Sequence, residues 1–283
     1  MDERIKDLEA QIDEQDARGD YTALLPLETE HAKLICEKYG ERSVEYASAL
    51  NDLGGVHRDI GSYAEAERLF LLGNDILAEK LGRNDPNYAT SLNNTAGLYR
   101  LMGRNEEAER TFLEAMEIYK NTLGETHFLN VSAMNNLGLL YQDLGRYEEA
   151  RALHEKALLL LGQEGTNVIG MATTLNNLAT LCQHTGRRDE AVHLLEQVLE
   201  VYRINVGEAH PLYATALNNL AMCRVQSGDI AGALETFLLV EQKIVRMFGE
   251  NSSYHKRALG NIAHVYGLLG DTENAKKYAD LAK

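Results

Sequence analysis

The chain has 283 residues, 45% of them hydrophobic, and a net charge of −15. It can bury a real core, and its charge disfavours nucleic acid or an anionic membrane surface as a partner. Only three prolines argue for long helices with few interruptions.

The opening "MDERIKDLEA" is charged from its second residue and has no basic stretch followed by an apolar one, so no signal peptide is expected. No run approaches the ~18 apolar residues of a membrane span. Cys36, Cys182 and Cys223 are isolated, odd in number and without CxxC spacing. They predict neither a disulfide framework nor a metal site, and they fit a reducing, cytoplasmic setting. Each is read as a small buried hydrophobe.

From residue 41 the sequence becomes a ruler. The stretches "ASALNDLGGVHRDIG", "ATSLNNTAGLYRLMG", "VSAMNNLGLLYQDLG", "ATTLNNLATLCQHTG", "ATALNNLAMCRVQSG" and "KRALGNIAHVYGLLG" end at Gly61, Gly103, Gly145, Gly186, Gly228 and Gly270. The spacings are 42, 42, 41, 42 and 42 residues. An alanine stands five residues after each glycine, from Ala66 to Ala275. A second punctuation, "LGRNDP", "LGETHF", "VGEAHP" or "FGENSS", closes most units. Each unit therefore predicts two amphipathic helices, with a tight turn at Gly61 and its equivalents. Left-handed helix ends are predicted at Gly82, Gly124, Gly207 and Gly249. The ruler reaches back to Gly19 and Gly40, making residues 1–40 a degenerate first unit. The full repeats are read as 41–82, 83–124, 125–165, 166–207 and 208–249, and the last, 250–283, as a shorter capping unit. The fourth copy, with its shortened "LLGQEGTNVIG", predicts a local irregularity. The narrow stripe Ile5, Leu8 and Ile12 and the charged "TENAKKYADLAK" read as polar caps, so residues 1–283 are expected to form a single domain.

Small and apolar residues recur three and four apart on the first helices, as in Leu92, Ala96 and Tyr99, or Met134, Leu137, Gly138 and Tyr141. Ala108, Phe112 and Ala115 form the matching stripe on a second helix. One pair cannot bury both stripes, so successive pairs must stack as an all-α solenoid. A small residue at Gly54, Ala96, Gly138, Ala179, Ala221 and Ala263 lets a neighbouring helix approach closely.

These residues, Leu, Leu, Gly or Ala, Tyr, Gly, Ala and Phe at fixed relative positions, resemble the tetratricopeptide repeat. The 42-residue period with "LGxxHPxxAxxLNNLAxLYxxxGRYEEAExL" is similar to the kinesin light chain type of that repeat. The resemblance covers nearly the whole chain and implies a right-handed superhelix of about seven antiparallel helix pairs. The long heptad segment of a kinesin light chain has no counterpart here. The resemblance also implies that the first helix of each pair lines a concave inner wall.

On that wall two asparagine columns would run. One is Asn51, Asn93, Asn135, Asn176 and Asn218; the other is Asn94, Asn136, Asn177, Asn219 and Asn261, with Asp52 in the first copy. Ser48, Thr90, Ser132, Thr173 and Thr215 add a hydroxyl column. A primary amide offers two donors and an acceptor, enough to bond an extended peptide's backbone without reading its side chains. Helix layers roughly 10 Å apart and about 3.3 Å per extended residue match one unit to about three ligand residues, roughly 12 to 18 in all. The alternative use of the same asparagines is to tie each helix to its neighbour. Specificity would come from the variable positions: Arg58 and Arg100, in register, could clamp an acidic side chain, and Leu101, Leu139 and Met222 would offer apolar pockets.

No phosphate loop, HExxH or serine elbow is present, so neither catalysis nor a cofactor is expected. His127 and His210 share one repeat position and read as turn chemistry. The glutamates after each glycine turn are expected to cap backbone donors and complement the helix dipole. The favoured reading is a scaffold that binds an extended or disordered protein segment in its groove. A self-associating scaffold, through Ile5, Leu8 and Ile12 or through Phe237, Leu238 and Leu239, and a sensor of a peptide or small signal that regulates a partner are the alternatives. The oligomeric state is left open between monomer and homo-oligomer.

Overall fold

A computed structural model of the chain describes residues 1–18, 21–164, 167–250 and 252–283. The turn expected at Gly19, and part of the irregular stretch around Gly165, lie outside the described residues. The chain forms two compact units, Met1–Leu144 and Gly145–Lys283. The first contains α1 (Asp2–Arg18), α2 (Tyr21–Tyr39), α3 (Val44–Asp59), α4 (Tyr63–Lys80), α5 (Pro86–Leu101), α6 (Asn105–Thr122) and α7 (Phe128–Asp143). The second contains α8 (Tyr147–Glu164), α9 (Val168–His184), α10 (Arg188–Asn205), α11 (Pro211–Ser227), α12 (Ile230–Phe248), α13 (Ser253–Leu268) and α14 (Thr272–Leu281). The described chain is an all-α solenoid in which, within each unit, every helix packs on the next in sequence. In the first unit α3 also touches α5, and α5 touches α7, so consecutive first helices meet.

The expected glycines do set the helix ends. Gly103 lies at φ +72°, where a side chain would be strained, and its N–H donates to the Arg100 carbonyl at 3.1 Å. The next residue, Arg104, donates its N–H back to the Tyr99 carbonyl at 2.9 Å, which closes the turn. The same left-handed backbone recurs at every other expected glycine that the structure describes. The first helices start on side-chain caps. Asp85 Oδ1 accepts from the Asn87 N–H at 2.8 Å, with Pro86 just behind it. His127 and His210 cap α7 and α11, their Nδ1 atoms accepting from the Leu129 and Leu212 N–H groups at 3.3 and 3.2 Å. Turn chemistry is thus their structural role.

The glutamates of the second helices stand in the first turn, as expected for the helix dipole, but their carboxylates are taken up by arginines rather than by backbone donors. Ser62, Arg104 and Arg187 stand at the N-caps of α4, α6 and α10 without a side-chain capping bond. The carboxylates instead hold arginines three residues away: Glu65 with Arg68 at 2.6 Å, and Glu107 with Arg104 and Glu149 with Arg146 at 2.5 Å. An arginine within reach offers a charged donor, which outcompetes a solvated backbone N–H.

Packing depends on the small residues. A Cβ at Gly54 would stand 2.8 Å from the Phe70 ring, which is fully buried, so only glycine admits that ring against α3. Ala96, Ala108, Phe112 and Ala115 are fully buried. Arg104 then lies over the Tyr99 ring at 4.1 Å and reaches Glu67 on α4 at 2.5 Å, tying two repeats together. The two patches suggested for self-association are mostly core. Leu8 is fully buried and Ile5 nearly so, while Phe237 is 1% exposed; of the second patch only Leu239 is open. A stripe on a terminal helix reads as unpartnered in sequence, but α2 covers it.

Candidate functional site

The first unit uses its asparagines in three ways. Asn51 donates Nδ2 to the Ala47 carbonyl one turn back in α3, at 3.0 Å, and its Oδ1 accepts from Ser91 Oγ on α5 at 2.8 Å. Ser91 is 1% exposed. Gly73 of α4 lies so close that a Cβ there would come within 2.9 Å of Asn51 Nδ2. Alongside, Asn74 Nδ2 donates to Thr95 Oγ1 at 3.0 Å, and Thr95 donates to the Ser91 carbonyl at 2.8 Å. Asn51 therefore ends a polar relay that ties α3, α4 and α5. Asn135 is 6% exposed and sits inside the wall rather than on it, against expectation. Its side is turned inward by the packing of α7, where Met134 and Leu137 are buried beside it.

Asn93, Asn94 and Asn136 stay partly open. Asn136 Nδ2 donates to Asn93 Oδ1 across one repeat at 3.2 Å. That rung uses the Asn93 acceptor and leaves its two amide hydrogens. These three residues, with Arg58, Gly97, Arg100 and Leu101, line one cavity of about 160 Å³. The expected arginine pair is thus brought to the same place as the central asparagines. Neither guanidinium is free, however: Arg58 Nε donates to Asp59 Oδ1 at 2.8 Å, and Arg100 Nη1 to Asp143 Oδ2 at 2.6 Å. An incoming carboxylate must share these cations or displace a side chain of the protein.

The second unit repeats the pattern. Asn176 Nδ2 turns back to the Ala172 carbonyl at 2.8 Å, as Asn51 does on α3. Asn261 Nδ2 donates to Asn218 Oδ1 at 3.1 Å, the same rung as in the first unit. Asn177 is partly buried and Asn219 exposed. Two members of the hydroxyl column are spent locally: Thr90 and Thr215 donate to carbonyls one turn back, at 3.0 and 3.1 Å, and Thr90 also accepts from the Tyr119 hydroxyl at 2.9 Å. Of the variable positions, Leu101 and Met222 are open, at 45% and 41% exposure. The relay residues Asn74, Ser91 and Thr95 were missed in the sequence. Their signal was polar side chains on positions facing another helix, which helical spacing could have shown.

Models of the tetratricopeptide repeat match residues 75–121, 87–163 and 170–240, and further ones match 47–87 and 256–282. The chain belongs to the tetratricopeptide repeat family. Among solved structures it is similar to a protein from Podosopora anserina described as a kinesin light chain with nearly identical TPR-like repeats. The identity is 22%, the match covers 73% of this chain and 98% of that one, and the TM-score is 0.60. It is also similar to a signal transduction ATPase with a tetratricopeptide repeat sensor from Pyrococcus horikoshii, at 16% identity over 99% of this chain and 40% of that one, TM-score 0.66. Aspartyl phosphate phosphatase F from Bacillus subtilis matches at 14% identity over 90% of this chain and 74% of that one, TM-score 0.63. At such identities the likeness is one of fold. No curated protein matches the chain in sequence.

As a tetratricopeptide repeat protein the chain is of the kind that serves as a protein–protein interaction scaffold. Among its described residues no helix is long and apolar enough to cross a membrane, and no group of three His, Cys, Asp or Glu side chains could hold a metal ion. Chemically, the cavity of the first unit offers amide donors beside two arginines that each already hold a carboxylate.

Proposed function

We propose that the first-helix wall of the first unit holds an extended or disordered segment of a partner protein, with no catalysis of its own. The supporting observation is the single cavity on which Asn93, Asn94, Asn136, Arg58 and Arg100 converge. Asn94 makes no side-chain hydrogen bond among the described residues and keeps both its donors and its acceptor for a peptide group. Arg58 and Arg100 select, exchanging Asp59 or Asp143 for an acidic side chain of the ligand. Asn177 and Asn219 offer the same amides on the second unit. Cys182 and Cys223 are buried free thiols, which supports a reducing, cytoplasmic setting.

The test is an affinity capture from native lysate with the wild type and an Asn94→Ala/Arg58→Ala double variant side by side. The expected result is a partner held by the wild type and lost by the variant, whose melting temperature stays within about 2 °C. A partner held equally by both would place the interaction elsewhere on the molecule.

A further inference from the structure

The last unit, 250–283, breaks the pattern at two wall positions. The hydroxyl column Ser48, Thr90, Ser132, Thr173 and Thr215 continues, 42 residues on, as Arg257. The first asparagine column, Asn51 to Asn218, continues as Gly260. The two lie three residues apart on α13 and so share a face. A Cβ at Gly260 would meet nothing within 4 Å, so the missing amide leaves open space beside the new cation.

This altered face borders a cavity of about 150 Å³ formed by α11, α12 and α13. Its apolar lining includes Pro211, Ala214, Ile244 and Ala258. At its rim Phe248 and Tyr254 stack with centroids 4.8 Å apart, each 42% exposed. A void near 150 Å³ with such walls has room for one benzene-sized group. The Arg257 guanidinium lies 5.7 Å from the Tyr254 ring centroid. Among the described residues no carboxylate pairs with it, whereas Arg58, Arg100 and Arg224 each hold one. The neighbouring His255 is committed elsewhere, its Nε2 to Glu241 at 2.8 Å and its Nδ1 to the Glu250 carbonyl at 2.7 Å. Asn218 also lines the cavity; its acceptor is taken by Asn261, and its amide hydrogens remain. Among the lining residues Arg257 is the charged group, which is complementary to an acid.

We propose that this cavity is a separate binding site for a partner peptide segment in which a compact apolar residue stands beside an acidic one. The apolar side chain fills the cavity, Arg257 pairs with the carboxylate, and Asn218 donates to a backbone carbonyl. The site lies within the second unit and does not rest on the reading of the first.

The test uses the full chain and two probes, N-acetyl-Leu-Asp-amide and its uncharged counterpart N-acetyl-Leu-Asn-amide, titrated by NMR. Two variants restore what the other repeats carry, Arg257→Thr and Gly260→Asn, and circular dichroism checks their fold. The wild type is expected to bind the acid about tenfold more tightly than the amide, as a charge-assisted pair requires. Arg257→Thr is expected to erase that preference, and Gly260→Asn, whose position lies outside the cavity lining, to leave both affinities unchanged. An Asn94→Ala/Arg58→Ala chain should bind both probes like the wild type, which separates this site from the first unit's wall. Equal affinity for acid and amide, an unchanged preference in Arg257→Thr, or no saturable shift at Phe248 and Tyr254 would overturn the proposal.

Discussion

Asn93 and Asn94 are adjacent in α5, yet one is a rung of the scaffold and the other is uncommitted. The difference is geometric: Asn93 Oδ1 meets the amide of Asn136 one repeat on, while Asn94 faces the cavity. Asn51 lies furthest towards bracing, since its amide joins the Ala47 carbonyl to the buried Ser91 hydroxyl. Removing it strands a donor in a place without water. Asn51→Ala is therefore expected to cost about 1–3 kcal/mol. Asn94→Ala, which breaks no bond to a described residue, is expected to change stability by less than about 0.5 kcal/mol. Urea denaturation of the two variants checks both values. Equal costs would mean that the two columns share one structural task.

At the scale of the helix, α8 carries a group that makes the second unit sensitive to acid. His154 is fully buried, and burial pushes its pKa down from 6.5 to about 4. The unfolded imidazole takes up a proton near its ordinary value, while the folded one waits until about pH 4. Between those values unfolding binds a proton, so stability falls as pH falls through the window, by up to about 3 kcal/mol. The expected result is that the stability difference between the wild type and His154→Leu moves by that amount between pH 7 and pH 4, against the wild type. A difference that stays constant over this range would show the imidazole titrating normally. What could be read from the sequence follows from the same local physics. Helix ends depend on nearby residues such as Gly103 and Asp85, so the 42-residue ruler placed every described turn. The arginine pair was also legible, because equal repeat positions come together when repeats stack. The Asn51 relay was not, since it depends on Ser91 and Gly73 from other helices. Nor were the partners one repeat and one residue on, Asp143 for Arg100 and Asn136 for Asn93, because they stand at different repeat positions. The stripe on α1 misled because α2, its cover, lacks a clear periodic face of its own.

Over the whole molecule the contacts run mainly between successive helices, and between first helices one repeat apart in the first unit. Stability in such a chain approximates a sum of local terms and nearest-neighbour interfaces rather than one cooperative block. Charge is distributed unevenly as well: residues 1–144 hold 27 acidic against 14 basic side chains, and residues 145–283 hold 16 against 14. The two units thus differ in self-repulsion as well as in packing. A change that overfills one interface should therefore loosen its own surroundings and leave distant helices protected. Gly54→Val supplies it, because the new side chain meets the Phe70 ring at a point where even a Cβ stands 2.8 Å away. Overpacking of this kind costs roughly 2 kcal/mol. Native-state hydrogen exchange is expected to show that loss in α3, α4 and α5, with the amides of α11 to α14 exchanging as in the wild type. An equal loss of protection at both ends would mean that the repeats unfold as one two-state body, and the nearest-neighbour description would fail.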